Sequence, residues 1–448
     1  MEGLSTAKKS VNSVEVGSLF ENMPFTKKHG FVGFALFMAF VIEAWEMMII
    51  IMVSASIAAD FALTPVQVGS IIGAIFLGMI PGSYVWGIIG DKIGRKKTIV
   101  YSLLIYGVVS LVSSFSVNYE MLYALRLLSG FSLGGVLVCI FPYYEEMLPV
   151  KQRGKAAVYL SAGWPIGTLI AIGLTSILID VEGMLGGWRA IIFISSLAGL
   201  WAFVIAKIPE SPYWLAGKGR KAEAKQVIEE LSEGQTKIEE DSELVIYQVK
   251  QGGFFEIFKH KILKITILQT VVNFAFSFGY WGLYTWIPTL LAQQGLSMGQ
   301  SMGFLALSAV AQIPGYLAAA HLTSKYGRKK VMFVFVLCAA IFGFAFAYSS
   351  SMFQLYAFNF GLAFFSLGAW GIWNTWFGEI YPTNIRGVGY SWGVAGQRWA
   401  NTVAPSLIGF VIGMGWVFGA TVSFIQVFMV ITLITILFIK ETEGEILH

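Results

Sequence analysis

The chain has 448 residues, of which 56% are hydrophobic and only 12% charged, with a formal net charge of +4; its mean hydropathy is +0.71. A water-soluble core of this composition would leave far too much apolar surface exposed, which excludes a soluble globular domain and indicates a polytopic membrane protein. The small positive charge calls for no nucleic-acid or acidic partner, because it follows the loops of one membrane face.

Residues 1–30 are polar and mixed in charge, without the short apolar region and small-residue cleavage site of a signal peptide, and read as a cytoplasmic tail. Apolar runs near 31–53, 67–89, 98–117, 121–146, 154–178 and 188–207 predict a first six-helix bundle over 31–207. Residues 208–260 form a charged linker, in which Ala222, Val227, Ile228 and Leu231 share one face of a predicted amphipathic helix over 221–233. Runs near 264–290, 300–320, 331–349, 353–380, 387–412 and 416–439 predict a second bundle over 261–440, and 441–448 form a second tail. The predicted fold is all-α, with twelve transmembrane helices in two pseudo-symmetric six-helix bundles. Cys139 and Cys338 lie in apolar runs and imply no disulfide framework.

Lys and Arg concentrate at alternate connections: Lys27 and Lys28, then Lys92 to Lys97, Lys151 to Lys155, the linker, and Lys325 to Lys330. Both termini are therefore expected in the cytoplasm, with Arg189 the one exception among the opposite loops. The halves are also copies. GIIGDKIGRKK at 87–97 and AHLTSKYGRKK at 320–330 lie 233 residues apart, and the same offset carries Glu146, Pro149, Arg153 and Gly154 onto Glu379, Pro382, Arg386 and Gly387. Duplicated membrane bundles most often carry a solute across.

The motif Gly87, Asp91, Lys92, Gly94, Arg95, Lys96, Lys97 resembles the loop 2–3 signature of the major facilitator superfamily, and Arg126, Gly130, Gly134 resemble its span 4 signature. The stretches at 43–48, 126–135 and 209–215 resemble the metabolite:proton symporter and synaptic-vesicle-protein branch, allied to organic cation and anion transporters. The resemblance implies alternating access around a central cavity. It also implies a gating network of Asp91, Arg95, Glu146 and Arg153, with Arg328, Glu379 and Arg386 in the second copy, where Ser324 replaces the aspartate. That replacement predicts a latch stronger around Asp91.

Glu43 and Glu46 lie mid-span at i and i+3, on one helix face. Each ionised carboxylate there costs about 2.5–3.5 kcal/mol. Two that repel favour holding a proton on one of them, as a proton-coupling group must. Arg126 in span 4 needs an anion, either a span 1 glutamate or a substrate carboxylate, and exchanging them would couple the two. Arg398 in span 11, with Ser391, Asn401 and Thr402, forms a polar stripe suited to a carboxylate. In span 7 Asn273, Ser277, Tyr280 and Tyr284 share a face, and Trp373 and Asn374 add to an aromatic region in span 10. Gly163 to Gly167 read as a kink or close-packing site.

The expected function is proton-coupled symport of a small organic ion, best an organic or aromatic carboxylate, with protons and the lipid bilayer as the other partners. A proton moving down about 100 mV supplies roughly 2.3 kcal/mol. A monomer in the plasma or cell inner membrane is expected, with no nucleic acid, cofactor or metal. An organic cation, sugar or drug transporter of the same fold, or a receptor-like member that transports nothing, stands as the alternative. No nucleophile triad, metal-ligand set or nucleotide loop points to an enzyme, and His29, His260, His321 and His448 lie at or beyond span ends.

Overall fold

The computed structural model describes residues 13–21, 23–150, 152, 160–183, 186–236, 238, 242–245, 253–382 and 385–442. The first half contains α2 (Lys27–Phe61), α3 (Pro65–Ile93), α4 (Arg95–Ser113), α5 (Tyr119–Met147), α6 (Gly163–Leu178) and α7 (Trp188–Ile205). The second contains α10 (His260–Tyr284), α12 (Met298–Tyr326), α13 (Arg328–Ala347), α14 (Met352–Glu379), α15 (Arg386–Gly413) and α16 (Phe418–Ile436). Among the described residues ten of these are long and apolar enough to cross a membrane. The other two are α6, of 16 residues, and α15, long enough at 28 but broken in its apolar run by Gln397, Arg398 and Asn401. The twelve helices form two six-helix bundles.

The repeat extends into local chemistry that sequence identity hides. Thr64 and Gln67 build a capping box at the start of α3, and Ser297 and Gln300 build one at the start of α12, 233 residues on. Asn118 and Ser351, at the same offset, cap α5 and α14. Tertiary packing repeats too. A Cβ on Gly82 would stand 2.3 Å from Phe131 O, and one on Gly315 would stand 2.2 Å from Phe364 O. Both crossings therefore require the hydrogen side chain.

Gly94 and Gly327 cap α4 and α13 with positive φ of 105° and 89°. The first peptide N–H groups of each helix meet a carboxylate from beyond the half's last span. Glu210 accepts from Lys96 N at 3.1 Å, while Glu441 accepts from Arg328 N and Lys329 N at 3.0 and 2.9 Å. An anion at a helix N-terminus satisfies orphan donors and opposes the helix dipole. These two glutamates tie the GRKK loops to the end of each bundle.

Three expectations are revised. Residues 13–21 of the expected tail are folded: β1 (Ser13–Glu15) pairs in parallel with β2 (Glu243–Val245) of the linker. The adjoining α1 (Val16–Glu21) buries Val16 and Phe20, the latter against Tyr213 of α8 (Pro212–Gly217). The amphipathic helix is α9 (Lys221–Leu231), whose buried face uses Ala224 in place of Ala222. Thr26 Oγ1 donates to Leu231 O at 2.6 Å and Lys28 pairs with Glu230 at 2.9 Å, so this face seats on the entry to α2. The seventh span ends at Tyr284, and α11 (Ile287–Gln293) follows after a break, because Pro288 suits a first helical turn and not a helix interior.

On the face opposite the GRKK loops, Arg189 ion-pairs with Asp60, donates to Ser116 O at 3.1 Å and stacks 4.2 Å over the Trp188 ring. The one basic residue against the charge bias is thus neutralised locally.

Candidate functional site

The bundles meet along a central interface whose two ends differ. Towards the face opposite the GRKK loops, α3 and α15 touch backbone to backbone. A Cβ on Gly69 would lie 2.3 Å from Pro405 O, on Gly73 2.6 Å from Thr402 O, and on Gly409 2.4 Å from Pro65 O. Trp281 of α10 wedges across the seam, 4.7 Å from the Phe76 ring and 5.7 Å from Trp164. With the Asn401 amide oriented to suit its neighbours, Asn401 accepts from Trp281 Nε1 at 3.2 Å and donates to Gln397 O at 2.9 Å. Nearer the GRKK face Tyr390 of α15 stacks on Phe377 at 4.5 Å and is 40% exposed.

The two span 1 carboxylates have separate fates. Glu46 accepts from Arg126 Nη1 at 2.5 Å and from Tyr106 Oη at 2.6 Å, and Arg126 Nη2 donates to Ser113 and Ser129 at 3.1 and 3.2 Å. Arg126 and Glu46 are 0% and 1% exposed. Glu43 is equally buried, but its Oε2 has no hydrogen-bond partner among the described residues, and the charge that acts on it there is Arg398. The expected repelling pair is therefore split, because residues three apart sit about 60° apart around a helix. Glu46 turns into its own bundle, towards α4 and α5, while Glu43 feels a charge in the other bundle.

Arg398 is half-buried on α15, and its guanidinium makes no hydrogen bond or ion pair among the described residues. Ser391 and Thr402, expected in one polar stripe with it, donate to Gly387 O and Arg398 O of their own helix. A hydroxyl four residues from a helical carbonyl finds that acceptor first.

Asn273, Trp373 and Gln397 come together. Asn273 Oδ1 accepts from Trp373 Nε1 at 3.0 Å and from Gln397 Nε2 at 2.7 Å, and its Nδ2 donates to Gln269 O at 2.9 Å. Gln269 in turn accepts from Tyr381 Oη at 3.0 Å. Gly393 permits this, since a Cβ there would lie 2.0 Å from Gln269 Nε2. The network sets α10 against α15 and so holds Arg398 in register. Asn374 is half-buried and stands outside it.

Tyr280 and Tyr284 stack at 4.4 Å, and Tyr280 lies 5.4 Å from Trp370. They line a small cavity with Met48 and Met52 of α2, Trp164 of α6 and Gln312 of α12, roughly large enough for one water molecule.

At the GRKK face Arg95 donates to Asp91 at 2.6 Å and lies 3.8 Å from Glu146. Arg328 engages both oxygens of Glu379, at 2.7 and 2.6 Å, and Thr442 supports that carboxylate at 2.8 Å. The Arg–Glu link is thus tighter in the second copy, where no aspartate draws the guanidinium away. Arg386 opens α15, and Arg153 lies outside the described residues.

Sequence reasoning passed over Gln269, Gln397, Gln312, Glu210 and Glu441. Gln397 adjoins Arg398 in the same stripe, and the two glutamates each follow a half's last span, so both signals were present in the residues. Gln312 is a lone amide in an apolar run, without a pattern to mark it.

Comparison with known proteins agrees with this architecture. The chain is 30% identical to the niacin transporter NiaP of Acinetobacter baylyi, over 97% of this chain and 99% of that one. It is 25% identical to the 4-hydroxybenzoate transporter PcaK of the same organism, over 92% and 91%. Its fold matches the partially occluded inward-open xylose transporter XylE of E. coli with a TM-score of 0.74, at 17% identity, covering 94% of this chain and all of that one. The family described as "sugar (and other) transporter" matches residues 36–448, and the chain accordingly belongs to that family of the major facilitator superfamily: it is a multi-pass membrane transporter, not an enzyme.

Proposed function

We propose that the protein is a proton-coupled symporter of an organic carboxylate, most suitably an aromatic one, in the plasma or cell inner membrane. The observation that carries this reading is Arg398, a cation in the membrane interior with no hydrogen-bond partner among the described residues and with Glu43 of the opposite bundle as the carboxylate that acts on it. A guanidinium matches a carboxylate's two oxygens, and the rings of Tyr280 and Trp370 favour a flat substrate. The niacin and 4-hydroxybenzoate transporters among its relatives are in keeping with this.

Coupling follows from competition. Ionised Glu43 and a substrate carboxylate both seek Arg398, so substrate binds well only when Glu43 holds a proton. Each ligand thereby raises the affinity for the other, as linkage requires. The loaded carrier takes one proton with one monoanion, so the bundles rock with no net charge added. The driving force is then the proton concentration ratio, about tenfold accumulation per pH unit, and not the 100 mV term expected from the sequence. Arg126 and Glu46 form a fixed brace in the first bundle. Asp91, Arg95, Glu146, Arg328, Glu379 and Arg386 act as the cytoplasmic latch.

The experiment is uptake of labelled nicotinate and 4-hydroxybenzoate into proteoliposomes, with the pH gradient and the potential imposed separately. Acid outside should drive accumulation, and a potential alone should not. Accumulation driven by potential alone would contradict one-to-one coupling, and transport of organic cations or sugars in place of carboxylates would overturn the substrate class.

A further inference from the structure

Gln312 is the residue that the proposed chemistry leaves unused. It is 3% exposed in the middle of α12, and its Oε1 has no hydrogen-bond partner among the described residues. Tyr284 is 7% exposed, and its hydroxyl makes no well-formed hydrogen bond among the described residues, with the Gln312 amide placed as its hydrogen-bonding neighbour. Both line the small cavity between the bundles, whose other walls include Met48, Met52, Trp164 and Tyr280. A buried polar atom without a partner is destabilising, and here two face one space. The equivalent of Gln312 in the first copy is Met79, so the repeated scaffold does not demand an amide at this place.

We infer that Gln312 and Tyr284 form a specificity site for a donor–acceptor substituent on the substrate ring, a hydroxyl above all, at the end opposite its carboxylate. This rests on the carboxylate reading. An acceptor oxygen and a phenolic hydroxyl face the space together, and a group that both donates and accepts answers both of them. Water does so, and a cavity of this size suits one. A ring hydroxyl does the same while displacing that water. A bare ring edge does neither, and an acceptor-only edge leaves Gln312 Oε1 unmatched. The spacing along the membrane normal agrees. Gln397 contacts Asn273, so Arg398 sits near the level of Asn273, and Tyr280 lies seven residues, about 10 Å, farther along α10. A substrate carboxylate held at Arg398 thus directs the opposite ring position towards Gln312.

The test is equilibrium binding of benzoate, 2-hydroxybenzoate and 4-hydroxybenzoate to the purified full-length protein at acid pH, with Tyr284→Phe and Gln312→Leu beside the wild type. The wild type should prefer 4-hydroxybenzoate to the other two by about 10- to 100-fold, the usual consequence of leaving a buried polar group without its partner. Each variant should erase that preference, lowering 4-hydroxybenzoate affinity to the level of the variant's own benzoate affinity. Tyr284→Phe removes a single oxygen and carries the test if Gln312→Leu fails to fold. Equal affinity of the wild type for all three acids, or variants that weaken all three alike, would overturn the inference and leave the carboxylate reading standing. Absence of binding by every acid would overturn both.

Discussion

Arg126 and Glu46 face each other at 2.5 Å with both side chains excluded from solvent, and Tyr106 closes the carboxylate's other oxygen. Both terminal nitrogens of the span 4 arginine are therefore engaged and only its Nε is left over, whereas the span 11 arginine makes no ion pair among the described residues. Opposite consequences follow for replacing them.

Removing one member of the closed pair leaves a buried charge uncompensated, which costs about 3–5 kcal/mol. Glu46→Gln and Arg126→Leu should each lower the thermal-unfolding midpoint in detergent by several degrees or prevent recovery of monodisperse protein. Changing both to methionine should restore most of the loss. Full stability of either single variant would show that the pair is not a brace.

Arg398 should behave in the reverse manner. Arg398→Ala removes a cation that makes no hydrogen bond or ion pair among the described residues and leaves the buried Glu43 to take up a proton, so the unfolding midpoint should change little. Carboxylate affinity should fall by about 100-fold or more, the usual consequence of truncating one side of a desolvated charge pair. Arg398→Lys should recover only part, since an ammonium cannot match both oxygens. Titration calorimetry beside differential scanning fluorimetry reads both quantities.

The seam between α3 and α15 should be a gate. A side chain at Gly69 cannot be housed with Pro405 O 2.3 Å from its Cβ, so Gly69→Val should wedge that end open. A cysteine at position 402 in a background lacking Cys139 and Cys338 should then react faster with a membrane-impermeant maleimide. An unchanged rate would mean that the seam does not open.

Glu210 and Glu441 should stabilise the first turns of α4 and α13. Glu441→Ala leaves two peptide donors without a side-chain acceptor, and loss of such a cap costs about 1–2 kcal/mol. Hydrogen exchange at Arg328 and Lys329 should accelerate accordingly, while the first turn of α4 stays protected. Equal acceleration in both helices would argue against separate caps.

The residues disclosed the architecture more readily than the chemistry. Twelve apolar runs and a 233-residue offset are one-dimensional signals, and the structure carries them down to paired caps and paired glycine crossings. The fate of Glu43 and Glu46 was not legible, because their roles depend on what α4, α5 and α15 bring against each face of α2. The hydroxyls of Ser391 and Thr402 were legible as a polar stripe but not in what they bond, because a helix offers its own carbonyls to a hydroxyl first. Arg398 was identified because an arginine in an apolar helix is anomalous in any fold. A lone glutamine is not, so Gln312 emerged only with the cavity.

The central claim is that Glu43 and the substrate carboxylate compete for Arg398. Its most direct measurement is carboxylate binding to wild type and Glu43→Gln across a pH series in detergent, where no gradient intervenes. The wild type should bind more weakly as pH rises and Glu43 ionises, whereas Glu43→Gln, neutral throughout, should bind tightly and with a flat profile. A variant whose binding weakens with pH as the wild type does, or a wild type indifferent to pH, would contradict the account.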